Sequence, residues 1–582
     1  MQIPNPAGPA AFRPAAVIRP SWPLMAAPGA VILLLAVPLL GGLAATGLAA
    51  ADGAAWQVLA TEPGMLHAAL ISLWTALAAT LLSVLLAGGM AAGLAALPGF
   101  GRMAERAALV MVAAPHAAVA VGLALLIAPT GLIFRAVSGG GDALPPDLAV
   151  PGDRFGLSLI VGLVIKETPF LLALLLAAQA RLGAGAVLAR ARCLGWRPAS
   201  AWWRIVAPQI WPVLRWPVVA VLVYGIGTVD MAVVLGPSLP PSFAVRSLSL
   251  LFDADPARAA AGHAAALAQL ALAAVAVGIW WLGERLARFW LAGGRGDHPA
   301  RIDPPLVRRP RQPVAPALSG LSGLVGGLAL LLAAASLATL VIWALAASWR
   351  FPDLLPMRWA PGRLADTVAL LGCVIARTVW LGLLPVAIAL PLAVLVLERE
   401  ALGADGGTGA GRSLSQAAEA LVYLPLLLPP AAFLAGIRAL ALRLGLDGTV
   451  VAVVWCHLLY VFPYLFLALR ESYRRTDPRP RLLARSLGRG PGGAWVAVML
   501  PLTARPMAIA AAIGFAVGVA QYLPALMIGG GRLPVLATEA VAAASGIDRR
   551  AASTAALLMT ALPAIGFLLA SLIRAPARAV RQ

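Results

Sequence analysis

The chain's only lysine, Lys166, stands beside Glu167, and such a pair could bind a charged solute, relay a proton or close salt bridges. It cannot be the lysine of a Walker A loop, which needs glycine directly before it, because Ile165 precedes Lys166. The histidines His67, His116, His263, His298 and His457 make no pair at the four-residue spacing of a zinc protease helix. No Gly-x-Ser-x-Gly elbow occurs, and Cys193, Cys373 and Cys456 lie too far apart in sequence to suggest a disulfide framework or metal cluster. No catalytic set assembles, so neither enzymatic activity nor a cofactor is expected.

What remains is charge in apolar surroundings. Lys166 and Glu167 fall inside the apolar run 157–180, and ionisable groups in lipid are expensive enough to be functional candidates by default. Adjacent side chains on a helix point about 100° apart, so the two need separate partners. Inter-helix bridges or a snorkelled cation are one reading, and contact with a solute or gate is the other. Asp230, Arg377, His457, Gln521 and Tyr522 are weaker candidates, each read first as structural, with Gln521 and Asp230 in roughly equivalent places in the two halves.

These residues must be positioned by membrane helices. The 582 residues are 61% hydrophobic and 12% charged, with mean hydropathy +0.89, against about 45–50% and 25% in soluble domains. A span needs roughly 20 apolar residues, and twelve runs qualify: 27–50, 68–97, 107–132, 157–180, 213–236, 261–287, 319–348, 370–397, 415–437, 449–469, 507–528 and 551–573. The expected fold class is all-α, a polytopic membrane protein of about twelve helices in two parallel six-helix repeats. The first run follows Arg13 and Arg19 and exceeds the 7 to 15 residues of a signal-peptide core, so an uncleaved helix is expected.

The formal charge of +20 would suggest nucleic acid in a soluble protein. Here the arginines sit in short loops between apolar runs, which is the positive-inside pattern, and no nucleic-acid partner is expected. One loop holds Arg181, Arg190, Arg192, Arg197 and Arg204. Another holds Arg474, Arg475, Arg479, Arg481, Arg485 and Arg489. Both are expected in the cytoplasm, as are both termini, with Arg574, Arg578 and Arg581 in the tail.

The two loops are copies. Ala191-Arg192-Cys193-Leu194-Gly195, Trp202 and Pro208 recur as Ala484-Arg485-Ser486-Leu487-Gly488, Trp495 and Pro501, each position 293 later. Six identities in one frame are beyond coincidence even in a chain with 58 glycines and 48 prolines. Pro115-His116-Ala117-Ala118 with Gly122 likewise resembles Pro429-Pro430-Ala431-Ala432 with Gly436. Each loop reads as two short helical segments broken by its glycine and ended by its proline.

The loop resembles the EAA motif of permeases of binding-protein-dependent ABC importers: Glu-Ala-Ala, three residues, Gly, nine residues, Ile, one residue, Leu, Pro. Ala191 and Ala484, Gly195 and Gly488, Ile205 and Val498, and Pro208 and Pro501 stand at matching places. The motif's Leu is met by Leu500 but is Ala207 in the first copy, and its Glu is replaced by Ala189 and Leu482. The double occurrence resembles the fused permeases of ferric-iron and thiamine importers and related uncharacterised chains.

The resemblance implies an inner-membrane protein in which two cytoplasmic coupling loops sit on a separate ABC ATPase subunit, itself a homodimer, and an external solute-binding protein delivers the solute. Its domains are then a cytoplasmic segment 1–26, a first permease repeat 27–292, a cytoplasmic linker 293–318, a second permease repeat 319–575 and a tail 576–582. Residues 101–106, Gly-Arg-Met-Ala-Glu-Arg, lie where twelve-helix secondary transporters place a basic signature, which makes such a carrier the alternative expectation.

Overall fold

The computed structural model describes residues 22–95, 111–138, 144–293, 315–401, 418–477, 479–546 and 548–573. The loop 101–106, most of the linker 293–318, most of the segment 1–26, and Arg574, Arg578 and Arg581 lie outside them.

The apolar runs become helices because in lipid every backbone N–H and C=O must be satisfied within the segment. In chain order they are α1 Trp22–Ala49, α2 Gly53–Thr61, α3 Met65–Leu94, α4 His116–Ile127, α5 Leu132–Ser138, α6 Leu157–Leu182, α7 Ala184–Cys193, α8 Pro198–Gly227, α9 Asp230–Leu235, α10 Phe243–Leu251 and α11 Pro256–Gly293. The second half gives α12 Ala315–Leu345, α13 Pro361–Leu370, α14 Gly372–Ala401, α15 Ala418–Leu426, α16 Pro430–Arg443, α17 Val450–Arg474, α18 Arg479–Ser486, α19 Pro491–Val519, α20 Leu523–Gly529, α21 Leu536–Ser545 and α22 Arg549–Leu572. A two-stranded antiparallel ribbon, β1 Ala346–Ser348 and β2 Arg358–Trp359, is the only sheet among the described residues. The protein is an all-α polytopic membrane protein.

Eleven described helices are long and apolar enough to span a membrane, and α15 with α16 forms a twelfth bent by 104°. The sharp bend sits at Pro429 and Pro430, neither of which has an N–H to continue a helix. Besides the bent run 415–437, three expected spans need correction. The run 107–132 is broken at Ala114 and Pro115, and its span runs from His116 to Ser138. The run 213–236 is not one helix: α8 starts earlier, at Pro198, and ends at Gly227, and α9 begins at Asp230. The run 507–528 divides in the same way between α19 and α20.

The repeat extends far beyond the loops. Helices starting at 157, 198, 230, 243 and 256 have counterparts starting at 450, 491, 523, 536 and 549, all 293 later. The first helices, starting at 22 and 315, keep the same interval. Each first helix packs on the other half's third span: α1 lies against α16, and α12 against α4. The equivalent glycines Gly436 and Gly122 permit this, because a Cβ on Gly436 would strike the Gly42 carbonyl and one on Gly122 the Ser336 carbonyl. Small residues at such crossings let helix backbones touch.

Candidate functional site

Each arginine-rich loop begins with a short helix that ends in the same backbone device. Gly195 takes φ +81° and Gly488 φ +87°, the left-handed region that a Cβ disfavours. The Trp196 N–H then reaches back to the Ala191 carbonyl at 3.0 Å and the Gly195 N–H to Arg192 at 2.9 Å. In the second loop Arg489 donates to the Ala484 carbonyl at 3.1 Å and Gly488 to Arg485 at 3.0 Å. This is a Schellman cap, and it explains why alanine and glycine recur four residues apart. Ala191 and Ala484 turn inward, at 3% and 8% exposure, while nothing lies within 4 Å of a Cβ built on either glycine. Arg192 anchors the first loop by donating to the Ala95 carbonyl at 2.6 Å.

Sequence reasoning placed Pro208 and Pro501 at the end of the second segment, and here the structure differs. Both prolines lie inside helices that continue unbroken into the membrane. A helical proline normally clashes with the carbonyl four residues back. The clash is relieved because both helices widen into a π-turn just before it, at Trp202–Val206 and Trp495–Met499, again 293 apart. The N–H preceding each proline bonds five residues back, Ala207 to the Trp202 carbonyl and Leu500 to Trp495. Each tryptophan therefore marks the start of the wide turn.

The environments of the two tryptophans differ. Trp495 Nε1 donates to the Tyr473 hydroxyl at 3.0 Å, and Tyr473 donates to Glu398. Glu398 also accepts from Arg481 at 2.7 Å, and Arg481 reaches the Ala401 carbonyl at 3.1 Å. Glu398 and Arg481 are buried, at 8% and 5% exposure, and sequence reasoning missed the carboxylate because it closes an apolar run and resembles an interfacial residue. In the first loop Leu188 stands where Arg481 does, and Trp202 is buried with no hydrogen-bond partner for Nε1 among the described residues.

The intramembrane candidates separate into two groups. Lys166 turns to the broken start of the third span, donating to the carbonyls of Met111 at 3.1 Å, Val112 at 2.8 Å and Ala114. Pro115 has no N–H to offer Met111, so the ammonium satisfies acceptors orphaned by the break. Glu167 instead meets His116 Nε2 at 3.0 Å. The His116 ring lies 4.5 Å from that of Tyr224. The Tyr224 hydroxyl donates to Asp230 at 3.5 Å, and Thr228 donates to the same carboxylate at 3.0 Å. Tyr522 of the second half is half-buried just before α20. Sequence reasoning missed His116 and Tyr224, although His116 stood in the repeated proline motif.

The remaining candidates are peripheral to that cluster. Arg377 caps the Pro534 carbonyl at 3.4 Å, His457 meets the Leu381 carbonyl through Nδ1 at 3.1 Å, and Gln521 donates to Val517 in its own helix at 3.2 Å. Gln521 is equivalent to Thr228 rather than Asp230, whose counterpart at the same interval is Leu523. Outside the spans, Asp253 is held below its ordinary carboxyl range, first by the Asp255 backbone N–H and next by the Arg258 guanidinium. No group of three or more His, Cys, Asp or Glu residues is placed to hold a metal ion among the described residues.

No protein-family model matches the chain, and no solved structure does. The chain is similar to the inner membrane ABC transporter permease protein YnjC of Escherichia coli (strain K12). The two are 32% identical over 535 residues, which is 90% of this chain and 92% of that protein. With that identity along nearly its whole length, and with eleven to twelve apolar helices, the chain belongs to the multi-pass ABC transporter permeases of the inner membrane.

Proposed function

We propose that this permease forms the whole translocation pathway of an ATP-driven importer. The repeats 27–292 and 319–575 are its two permease halves, the linker 293–318 and both termini are cytoplasmic, and the loops Ala191–Pro208 and Ala484–Pro501 are EAA-type coupling elements. The partners are a homodimeric ABC ATPase on the cytoplasmic face and a solute-binding protein on the other. ATP binding closes the ATPase dimer, draws the loops together and rocks the halves to open the pathway outward, and hydrolysis resets them.

The observation that carries this reading is the doubled unit of Schellman cap, π-turn and proline at one interval of 293. Each unit also exposes a leucine at its tip, Leu194 at 72% and Leu487 at 75%. An exposed apolar tip on a loop of arginines suits a groove on a soluble partner.

The test is cysteine cross-linking in the complex of this chain with its ATPase. Leu194→Cys and Leu487→Cys should each cross-link to an ATPase protomer, and a membrane-impermeant thiol reagent should reach them only from the cytoplasmic side. Labelling of the two tips from opposite sides would end the proposal.

A further inference from the structure

We propose that a cavity at the end of the bundle away from the arginine-rich loops binds the phosphodiester of an anionic phospholipid. The cavity holds about 240 Å³, and its walls include Trp343, Trp349, Asp548, Arg549 and Arg550. It lies at that end because α19 leaves the second loop and crosses to Val519, and no full span intervenes before α22 starts at Arg549.

The walls are rich in unmet donors. Arg550 donates through Nη2 to the Ala346 carbonyl at 2.8 Å and the Ala347 carbonyl at 3.2 Å, but its buried Nε has no hydrogen-bond partner among the described residues. Trp343 Nε1 is buried and unpartnered in the same sense. The Arg549 guanidinium lies over the Trp343 ring, 5.1 Å from its centroid, and meets no carboxylate within ion-pair distance among the described residues. Asp548, the carboxylate of the cavity, already accepts from the Arg550 N–H at 3.1 Å and the Ala551 N–H at 2.9 Å. The cavity is therefore short of acceptors, and buried donors left in that state are costly. Arg549 and Arg550 set against Asp548 leave one net positive charge. A phosphodiester monoanion cancels that charge and brings several acceptor oxygens.

The surroundings select a lipid as its carrier. Helices α12 and α22 pack on each other, and the cavity sits where one ends and the other begins, so acyl chains attached to a headgroup there can run down past the exposed Val341. Leu354, Leu355, Met357 and Trp359 of the adjoining ribbon are exposed as well, which suits the membrane–water interface. The first half has none of this. Ala50, Pro256 and Ala257 stand 293 residues before Trp343, Arg549 and Arg550, and the link after α1 covers only 50–52 where the link after α12 covers 346–360. Ribbon and arginines thus occur together in one half. Arg135 of α5 fastens the ribbon, donating to the Arg350 and Asp353 carbonyls at 2.7 Å each and lying 4.4 Å over the Trp349 ring.

The test uses the purified full chain in detergent, titrated with phosphatidylglycerol or with phosphatidylcholine of the same acyl chains, and native mass spectrometry counts the bound lipid. The wild type should hold one phosphatidylglycerol roughly tenfold more tightly than phosphatidylcholine, as expected for hydrogen bonds between charged groups. Arg549→Gln, which removes a guanidinium that makes no hydrogen bond among the described residues, should abolish most of that preference. Arg363→Gln, at an exposed position on α13 outside the cavity, should keep it. High salt should shrink the preference in the wild type, a reading that does not depend on how any variant folds. Equal retention of the two lipids, or a preference untouched by Arg549→Gln, would overturn the site. Displacement of phosphatidylglycerol by inorganic phosphate at matched concentration would assign the cavity to a soluble anion and overturn the lipid reading.

Discussion

Replacing Gly195 or Gly488 by alanine should weaken the loop through the backbone rather than through packing. At φ +81° and +87° an L-residue sets its Cβ against the following carbonyl, at about 1–2 kcal/mol. A Cβ there meets no atom within 4 Å, so a larger side chain adds little. The two hydrogen bonds of each cap, worth about 0.5–1.5 kcal/mol apiece, are at risk if the chain escapes the strained conformation. Alanine, leucine and phenylalanine should therefore be about equally harmful, and asparagine, which tolerates left-handed backbone, distinctly milder. The assay is ATP-driven uptake per ATP hydrolysed in proteoliposomes, with membrane insertion checked by size-exclusion fluorescence. Uncoupling should rank alanine with phenylalanine, at roughly tenfold for a 1.4 kcal/mol disturbance of the docked loop. A graded loss that follows side-chain volume, with alanine neutral, would refute the backbone account.

Other perturbations give equally definite expectations. Lys166→Met strands the carbonyls of Met111, Val112 and Ala114 and should lower thermal stability by about 1–3 kcal/mol; normal stability with lost uptake would move Lys166 into the pathway instead. Glu398→Ala leaves buried Arg481 unpaired and should destabilise by about 3–5 kcal/mol, and Arg481→Leu alongside it, as in the first loop, should restore most of that loss in thermal unfolding. Gly122→Leu and Gly436→Leu push helices apart at backbone contacts, so folded protein should fall sharply in detergent extracts, whereas Gly278→Leu, with open space around it, should be neutral.

Spans and repeat were legible in sequence because both are long-range regularities: about twenty apolar residues must cross lipid, and an interval of 293 recurs in the loops, although the third-span motifs stand 314 apart. The breaks were not. Thr228 and Val229 interrupt α8 and α9 without interrupting hydropathy, and Ala520 to Tyr522 do the same before α20, so a helix-length window joins what the backbone separates. Pro208 and Pro501 looked like terminators because a π-turn leaves no compositional trace. The exchange of first helices between halves was hidden for a related reason. Helices α1 and α12 carry almost no polar residues to show which face is packed, and only their glycine and serine contacts reveal the partner.

The two loops share a backbone and differ in what holds it. Trp202 sits among apolar side chains beside a cavity of about 50 Å³ lined by Val84, Gly88, Leu171, Leu175 and Trp203, contacts that are non-directional. Trp495 is tied by hydrogen bonds through Tyr473 to Glu398 and Arg481, which are directional and break in steps. Phenylalanine at the two positions separates these cases. Trp202→Phe removes an indole N–H that has no partner among the described residues, so part of the lost packing is offset by the relief of a buried donor. Trp495→Phe loses a real hydrogen bond and leaves the network around Glu398 short of one member. The second substitution should therefore uncouple ATPase from uptake more strongly than the first, although Trp202 is the more deeply buried ring. If Trp202→Phe proves the more damaging, burial rather than bonding sets how each loop transmits force.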